Sequence, residues 1–385
     1  MKKITFLFFL SLVYWVSAQK YIKVNISDKS SNLTIPNARI VYENQVFYSN
    51  DDGDVNIPDN IGAFEVSAPS YKTIKLSSLS GSIKLEPQYN EIQEVVLNKL
   101  DVKKIFQNTL KNYLALYYTK PSLYDGTIKQ KGYIDGKIIN LFVADINLWS
   151  LYNFFNFKAA NDVDSFVQVQ LDAIKYYKTE KNNTNYPFNT DLHIIPKDFV
   201  QKLFMNSQLL GVLNDTKNTE IIGRVNDKNA DLEYITYESK KNNKDSEKIR
   251  GSIAYSVKDS LITNLTVSVD QANNIQIQKN KKGEEYSIKT TEFYIMFDFY
   301  KNSGQYIPSQ VKTIIKAVVS YKGNSFPASL VQEINFTNFK SANKKGLNNK
   351  IDLGKNLTDN VPSKEMNKTN SILLSKEELK FINEP

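Results

Sequence analysis

The spacing of apolar and polar positions changes several times along this chain, and each change marks a new kind of element. Residues 21–28 alternate Ile22, Val24 and Ile26 with Lys23, Asn25 and Ser27, the two-residue period of a half-buried strand. Ala38, Ile40 and Tyr42 continue that period after Pro36. Short runs follow at 55–57, 63–68, 73–76, 82–85 and 92–97, each bounded by turn residues. About seven short strands separated by turns predict a small β-sandwich over 20–98. Within it, residues 35–57 surround the cluster Asn50, Asp51, Asp52, Gly53 and Asp54. That cluster predicts a β-hairpin, because Asn and Gly adopt positive φ at little steric cost.

Helical spacing begins near residue 100. Val102, Ile105, Phe106, Leu110, Tyr113, Leu114 and Tyr117 fall on one face, Asp101 sits at the N-terminus, and Pro121 follows the end. A helix over 100–118 is predicted, with a domain boundary at 98–101. The Asp135-Gly136 pair between two alternating runs predicts a hairpin. Val163, Phe166, Val167, Leu171 and Ile174 predict a second helix over 162–177, and Phe199, Leu203, Phe204 and Leu209 a third over 197–212. From residue 219 long alternating strands take over, at 220–226, 231–239, 248–258, 261–270, 286–300, 306–321 and 325–339. Turns at 258–260 and at Asn302-Ser303-Gly304 join them into an antiparallel meander.

The expected fold class is therefore mainly β and α+β: a seven-stranded sandwich at 20–98, then a helix-plus-meander domain at 101–339. A strongly curved sheet wrapped round a helix is one way to bury so many Phe and Tyr. That outline is similar to the half-barrel of periplasmic lipoprotein carriers, as architecture alone. Residues 340–385 are rich in Lys, Asn and Ser and read as a disordered tail, with a helical pattern at 376–381.

Several short motifs recur in order through the first domain: Ile26-Ser27-Asp28, Ile35-Pro36-Asn37-Ala38-Arg39-Ile40, residues 49–55, Val66-Ser67-Ala68-Pro69-Ser70-Tyr71, Ile83-Lys84-Leu85-Glu86-Pro87, and Ile92-Gln93-Glu94-Val95-Val96-Leu97. This series resembles the carboxypeptidase-like regulatory domain, a transthyretin-like sandwich of exported Gram-negative proteins. Ser49 and Asn50 stand for the family's Thr-Asp, Val55 for an aromatic residue and Ser70 for a glycine. The resemblance implies a non-catalytic module in an envelope context. The next stretch resembles a region that often follows this sandwich, whose first strand commonly reads G-F-Y-R-E. Here Gly126-Thr127-Ile128-Lys129-Gln130 lacks the Arg and Glu, so no role of theirs transfers.

The first residues add a targeting signal. Lys2 and Lys3 precede an apolar run at 4–15, and Val16-Ser17-Ala18 follows. That is the pattern of a signal peptide over 1–18, cut after Ala18. No later stretch has the ~18 unbroken apolar residues of a spanning helix. The expected location is the cell envelope: periplasmic, outer-membrane associated or secreted.

Charge and chemistry then remove possibilities. The formal charge of +8 is concentrated at the ends. Two lysines lie in the leader, and nine face six acids in 340–385. The remaining folded portion carries 38 basic and 35 acidic residues, so nucleic acid is not an expected partner. With no cysteine, disulfides, thiol catalysis and a thioether-linked lipid are excluded. The single histidine, His193, cannot supply a catalytic zinc site by itself, and no Gly-x-Ser-x-Gly elbow accompanies it. No glycine-rich phosphate loop occurs. The Asn50–Asp54 cluster fails as a calcium loop, since Tyr48 stands where an acid is needed. No catalytic, cofactor-binding or metal residue is expected.

One composition stands out: Trp149, Tyr152, Phe154, Phe155 and Phe157. Such a cluster is either a surface for a hydrophobic or glycan ligand or core packing between helix and sheet. Three functions remain in view. The first is a non-enzymatic binding or assembly protein of the envelope with an envelope protein as partner. The second is a hydrophobic-ligand or lipoprotein-handling protein with an apolar cavity of several hundred Å³ in 219–339. The third is a carboxylate-dependent hydrolase with converging, strained carboxylates.

Overall fold

The computed structural model describes residues 21–88, 100–180, 186, 188, 200–228, 231–240, 247–271, 275–280, 282–355, 357–360 and 373–384. The expected signal peptide, the motif at 92–97, His193 and the start of the 197–212 pattern lie outside the described residues. The chain forms two units. One comprises residues 1–42, 47–88 and 370–375, and the other residues 43–46, 89–369 and 376–385.

Among its described residues the first unit is a sandwich of β1 (Tyr21–Asp28), β2 (Arg39–Tyr42), the second half of β3 (Gln45–Tyr48), β4 (Asp54–Pro58), β5 (Phe64–Ser67), β6 (Ile74–Leu76) and β7 (Ser82–Leu85). One layer has the order β4-β1-β7, with β1 antiparallel to β4 and parallel to β7. The other runs β6-β5-β2-β3. Inward side chains of both layers, among them Val24, Ile26, Ile40, Ile57, Val66 and Leu85, make a closed apolar core. Burying each contributes about 1.5–3 kcal/mol.

The cluster at 50–54 is a turn, but not of a hairpin. β3 and β4 lie in different layers, and β4 pairs β1 with Val24 opposite Val55. The chain thus arches from one sheet to the other. Asn50 Oδ1 accepts from the amides of Asp52 (3.0 Å) and Asp54 (2.9 Å), and Gly53 has φ +75 with no room for a Cβ against Ile26 O. Turn chemistry alone does not distinguish an arch from a hairpin, because both need positive φ. The motif residues just outside the arch also act locally. Ser49 Oγ donates to Ile35 O and accepts from Ala38 N, both at 2.8 Å. Asp28 accepts from Ser30 N, Ser31 N and the Tyr71 hydroxyl.

The second unit is built on one antiparallel sheet. Its strands are β8 (Leu100–Asp101), β9 (Ser122–Ile134), β10 (Lys137–Ser150), β11 (Val167–Thr179), β12 (Ile221–Lys228), β13 (Leu232–Ser239), β14 (Lys248–Ser256), β15 (Leu261–Asp270), β16 (Ile275–Lys279), β17 (Glu285–Asn302), β18 (Gln305–Tyr321) and β19 (Asn324–Ser341). The order is β11-β10-β9-β19-β18-β17-β15-β14-β13-β12-β8, with β16 on the first half of β17. The sheet is curved and does not close into a barrel. The meander from 219 on has the expected strands and turns: Ser303 and Gly304 adopt positive φ between β17 and β18. Asp135 (φ 50) and Gly136 (φ 73) form the expected hairpin between β9 and β10.

Among the described residues, helices α1 (Val102–Lys111), α2 (Tyr113–Leu116), α3 (Met205–Asp215) and α4 (Lys376–Asn383) accompany the sheet. Asp101 caps α1, accepting from Lys104 N at 3.1 Å. The helix expected over 162–177 is instead a short 3₁₀ turn followed by β11. Val167, Val169 and Leu171 also fit a two-residue period, and β11 pairs along the free edge of β10. Pairing a long edge outweighs a weak helical spacing. The stretch 340–385 carries the expected C-terminal helix, α4, with Glu378 and Phe381 buried.

Alternate residues of the sheet give it two unlike faces. Ile235, Tyr237, Ile253, Leu265, Val267, Ile295 and Phe297 are buried on one, where Phe106 of α1 meets the Tyr237 ring edge-on at 5.4 Å. The positions between them carry Thr236, Glu238, Arg250, Ser252, Thr266, Ser268 and Tyr294 on the other.

Candidate functional site

The five aromatic residues singled out from sequence do not form one surface. Trp149 and Phe155 are buried. Trp149 Nε1 donates to Asn343 O at 2.9 Å. The Phe155 backbone is bracketed by the Asn206 amide, which accepts from its N (2.9 Å) and donates to its O (3.1 Å). Tyr152 and Phe154 are half-buried and stacked at 5.3 Å. Phe157 is exposed and meets Phe155 edge-on at 4.9 Å.

Among the described residues, aromatic side chains pack the space between helices and sheet. Tyr113, Tyr124, Leu148, Phe204, Met205, Phe299 and Phe336 line a residual cavity of about 20 Å³, room for one water and not for an acyl chain. Among the described residues this cavity is far smaller than the several hundred Å³ expected of a hydrophobic-ligand carrier. Aromatic rings occupy the place: Tyr117 stacks on Tyr113 at 4.4 Å and meets Phe299 at 5.0 Å.

The large concavity lies on the opposite, polar face. A groove of about 520 Å³ crosses β12, β13, β14, β15 and β17. Its walls carry Arg224, Glu238, Arg250 and Glu292, with Thr236, Thr266, Ser268 and Tyr294 between them. Cross-strand register assembles it. Arg224 stands opposite Thr236, Glu238 opposite Arg250, Arg250 opposite Ser268, and Ser268 opposite Tyr294. At Gly251 an added Cβ would lie 2.0 Å from Thr266 O and 2.6 Å from the Tyr237 hydroxyl, so only glycine lets the strands close here.

Glu238, Arg250 and Glu292 of the groove are held in ion pairs. Arg250 reaches Asp270 (3.0 Å) and Glu292 (3.1 Å). Glu292 also takes Lys316 Nζ (2.9 Å) and the Ser268 hydroxyl (2.7 Å). Glu238 pairs with Lys248 at 2.6 Å. The Lys316 contact, followed by Ser268, holds the Glu292 carboxyl down to about 2, and Lys248 lowers Glu238. Burial raises the hydroxyls of Tyr237 and Tyr294. The two carboxylates are thereby held in their ionised, hydrogen-bond-accepting form beside the hydroxyls of the groove. Among the described residues no group of three or more acidic or histidine side chains could hold a metal.

Glu292 gives a titration test. Its folded pKa lies below the ordinary 4.5. Its contribution to stability is therefore present above that value and lost as pH falls toward 2. Carboxyl NMR should find its midpoint near 2, and Lys316→Met should move it up toward 4.5. An unshifted midpoint in the wild-type chain would contradict the described pairing.

The strands of the groove were expected from sequence, but none of its side chains was singled out as a site residue. The available signal was the polar half of each alternating strand, which names no neighbour until the register is known.

No family model matches the chain, the carboxypeptidase-like regulatory domain included, and no curated protein matches it. Solved structures are similar at low scores, among them these three. A LolA superfamily protein from Nitrosomonas europaea is 6% identical over 63% of this chain and 94% of its own, with a TM-score of 0.23. A protein of unknown function from Bacteroides fragilis is 9% identical over 83% of this chain and 98% of its own, at 0.14. The MucA/MucB complex structure from Pseudomonas aeruginosa is 6% identical over 63% of this chain and 100% of the matched chain, at 0.18. Scores this low carry no functional weight. Among the described residues no helix is long and apolar enough to cross a membrane.

Proposed function

We propose that this protein is an exported, non-enzymatic binding protein of the cell envelope, and that its second unit holds a hydroxyl-rich ligand, an oligosaccharide, in the groove of the polar sheet face. The groove carries this reading. It pairs fixed planar ions with a row of hydroxyls, Thr236, Thr266 and Ser268, and with the Tyr294 side chain. Sugars are held by this combination: bidentate bonds to their hydroxyls from charged groups, and an aromatic surface for their apolar faces. Carboxylates kept ionised by Lys and Arg suit acceptance of hydroxyl protons in binding and not general-acid catalysis. The leader pattern at 1–18 supports export. The aromatic packing of the described interior residues, with a cavity of about 20 Å³ there, favours this reading over carriage of an apolar ligand.

Calorimetric titration of the intact protein with a panel of neutral and acidic oligosaccharides tests the proposal. At least one should bind with one site per chain, and Tyr294→Ala or Arg224→Ala should weaken it by about 10-fold or more. Binding that neither substitution changes would refute the assignment to this groove.

A further inference from the structure

The same polar sheet face carries a second feature, away from the groove. Lys129 and Lys131 of β9 and Lys312 of β18 surround two carboxylates. Glu378 of α4 is fully buried and takes Lys129 Nζ on both oxygens at 3.0 Å and Lys131 Nζ at 3.1 Å. Glu333 of β19 stands directly opposite Lys129 and Lys312 and pairs with Lys312 at 2.6 Å. Burial pushes the Glu333 carboxyl up, but Lys312, Lys129 and Lys131 outweigh it and hold it low. At the other end of α4, Lys178 of β11 donates to Phe381 O (2.8 Å) and to Glu384 O, and lies 5.2 Å over the Phe381 ring. Three lysines of the sheet, Lys129, Lys131 and Lys178, thus meet one helix, and Lys312 lies beside them, paired with the sheet carboxylate Glu333.

We propose that this lysine patch is a binding site for an acidic amphipathic helix of a partner protein, and that α4 fills it from within the chain. The helix has the features of a ligand. It is eight residues long, too short to persist without its dock. Its buried side chains are Glu378 and Phe381, three residues apart and so on one side. Leu379 faces solvent. Phe381 is its one buried apolar side chain, and the buried carboxylate of Glu378 is held by two lysines. Desolvation offsets much of that attraction, and lifting the helix returns water to Glu378 and the lysines. The patch left behind would carry four lysines against Glu333, complementary to a helix with a carboxylate three residues before an aromatic ring.

The test uses the full chain. In Glu378→Gln the internal helix loses its anchor while the lysines remain. A labelled peptide of residues 373–385 should bind this variant at least ~10-fold more tightly than it binds the wild-type chain. Adding Lys131→Met should abolish that binding. Equal binding by both chains, or none by the variant, would overturn the proposal. So would anionic lipid vesicles binding the variant where the peptide does not. Hydrogen exchange on the wild-type chain supplies an independent reading. Amides of α4 should exchange through a local opening that leaves β9 protected. Exchange of α4 and β9 only together would overturn the proposal without any variant.

Discussion

Truncating Tyr117 to alanine should lower the stability of the second unit by about 3–5 kcal/mol. The ring is 1% exposed and is the point where helix meets sheet. It stacks on Tyr113, meets Phe299 edge-on and sends its hydroxyl 2.6 Å to Ile262 O. The surroundings cannot collapse onto the gap, because α1 and α2 are held at both ends: Val102 packs on Gly223, and the Tyr118 amide bonds Tyr306 O. Tyr117→Phe isolates the polar part and should cost about 1 kcal/mol, the net value of one buried hydrogen bond. Urea unfolding followed by Trp149 fluorescence reads both, since Trp149 is buried in this unit. A loss below ~1 kcal/mol for the alanine variant would mean that the helices do not pack on the sheet as described.

The second large effect is expected at Gly251. An alanine methyl there meets Thr266 O at 2.0 Å and the Tyr237 ring at 2.7 Å. The first is backbone, so β14 and β15 must part. The second displaces a buried phenol that bonds Thr266 O at 2.8 Å and packs on Phe106. Overpacking of this kind costs about 1–3 kcal/mol, and losing the Tyr237 bond adds about 1 kcal/mol. Because the strain falls on the strands that carry Arg250, Thr266 and Ser268, Gly251→Ala should also weaken ligand binding in the groove. Unchanged stability and unchanged binding together would show that the strands have slack there.

What could be read in advance followed from periodicity and turns. The strands from 219 on are long, alternate strictly and are separated by residues that adopt positive φ, such as Ser303 and Gly304. Those signals are local, and the elements came out accordingly. The failures were of pairing. Asn50–Asp54 encodes a reversal but not which sheet the chain enters next, and β4 finds β1 rather than β3. Residues 167–179 fit two periods, and the open edge of β10 chose between them. The groove was invisible for the same reason. Arg224 and Tyr294 lie on strands five places apart in the chain order and face one concavity only after every intervening register is set. Glu378 lay in a polar stretch, and its lysines are nearly 250 residues away. The aromatic cluster at 149–157 looked like one feature because it is contiguous in sequence. Strand alternation and the following loop send its members to different environments.

The most direct measurement is a pair of NMR titrations on the intact protein, one with the oligosaccharide panel and one with a long-chain fatty acid. Shifts from a sugar are expected to be confined to residues around Thr236, Arg250, Ser268 and Tyr294, with no saturable shift from the fatty acid. Saturable shifts from the fatty acid around Tyr113, Phe204 and Phe336, with none from any sugar, would contradict the assignment of binding to the groove.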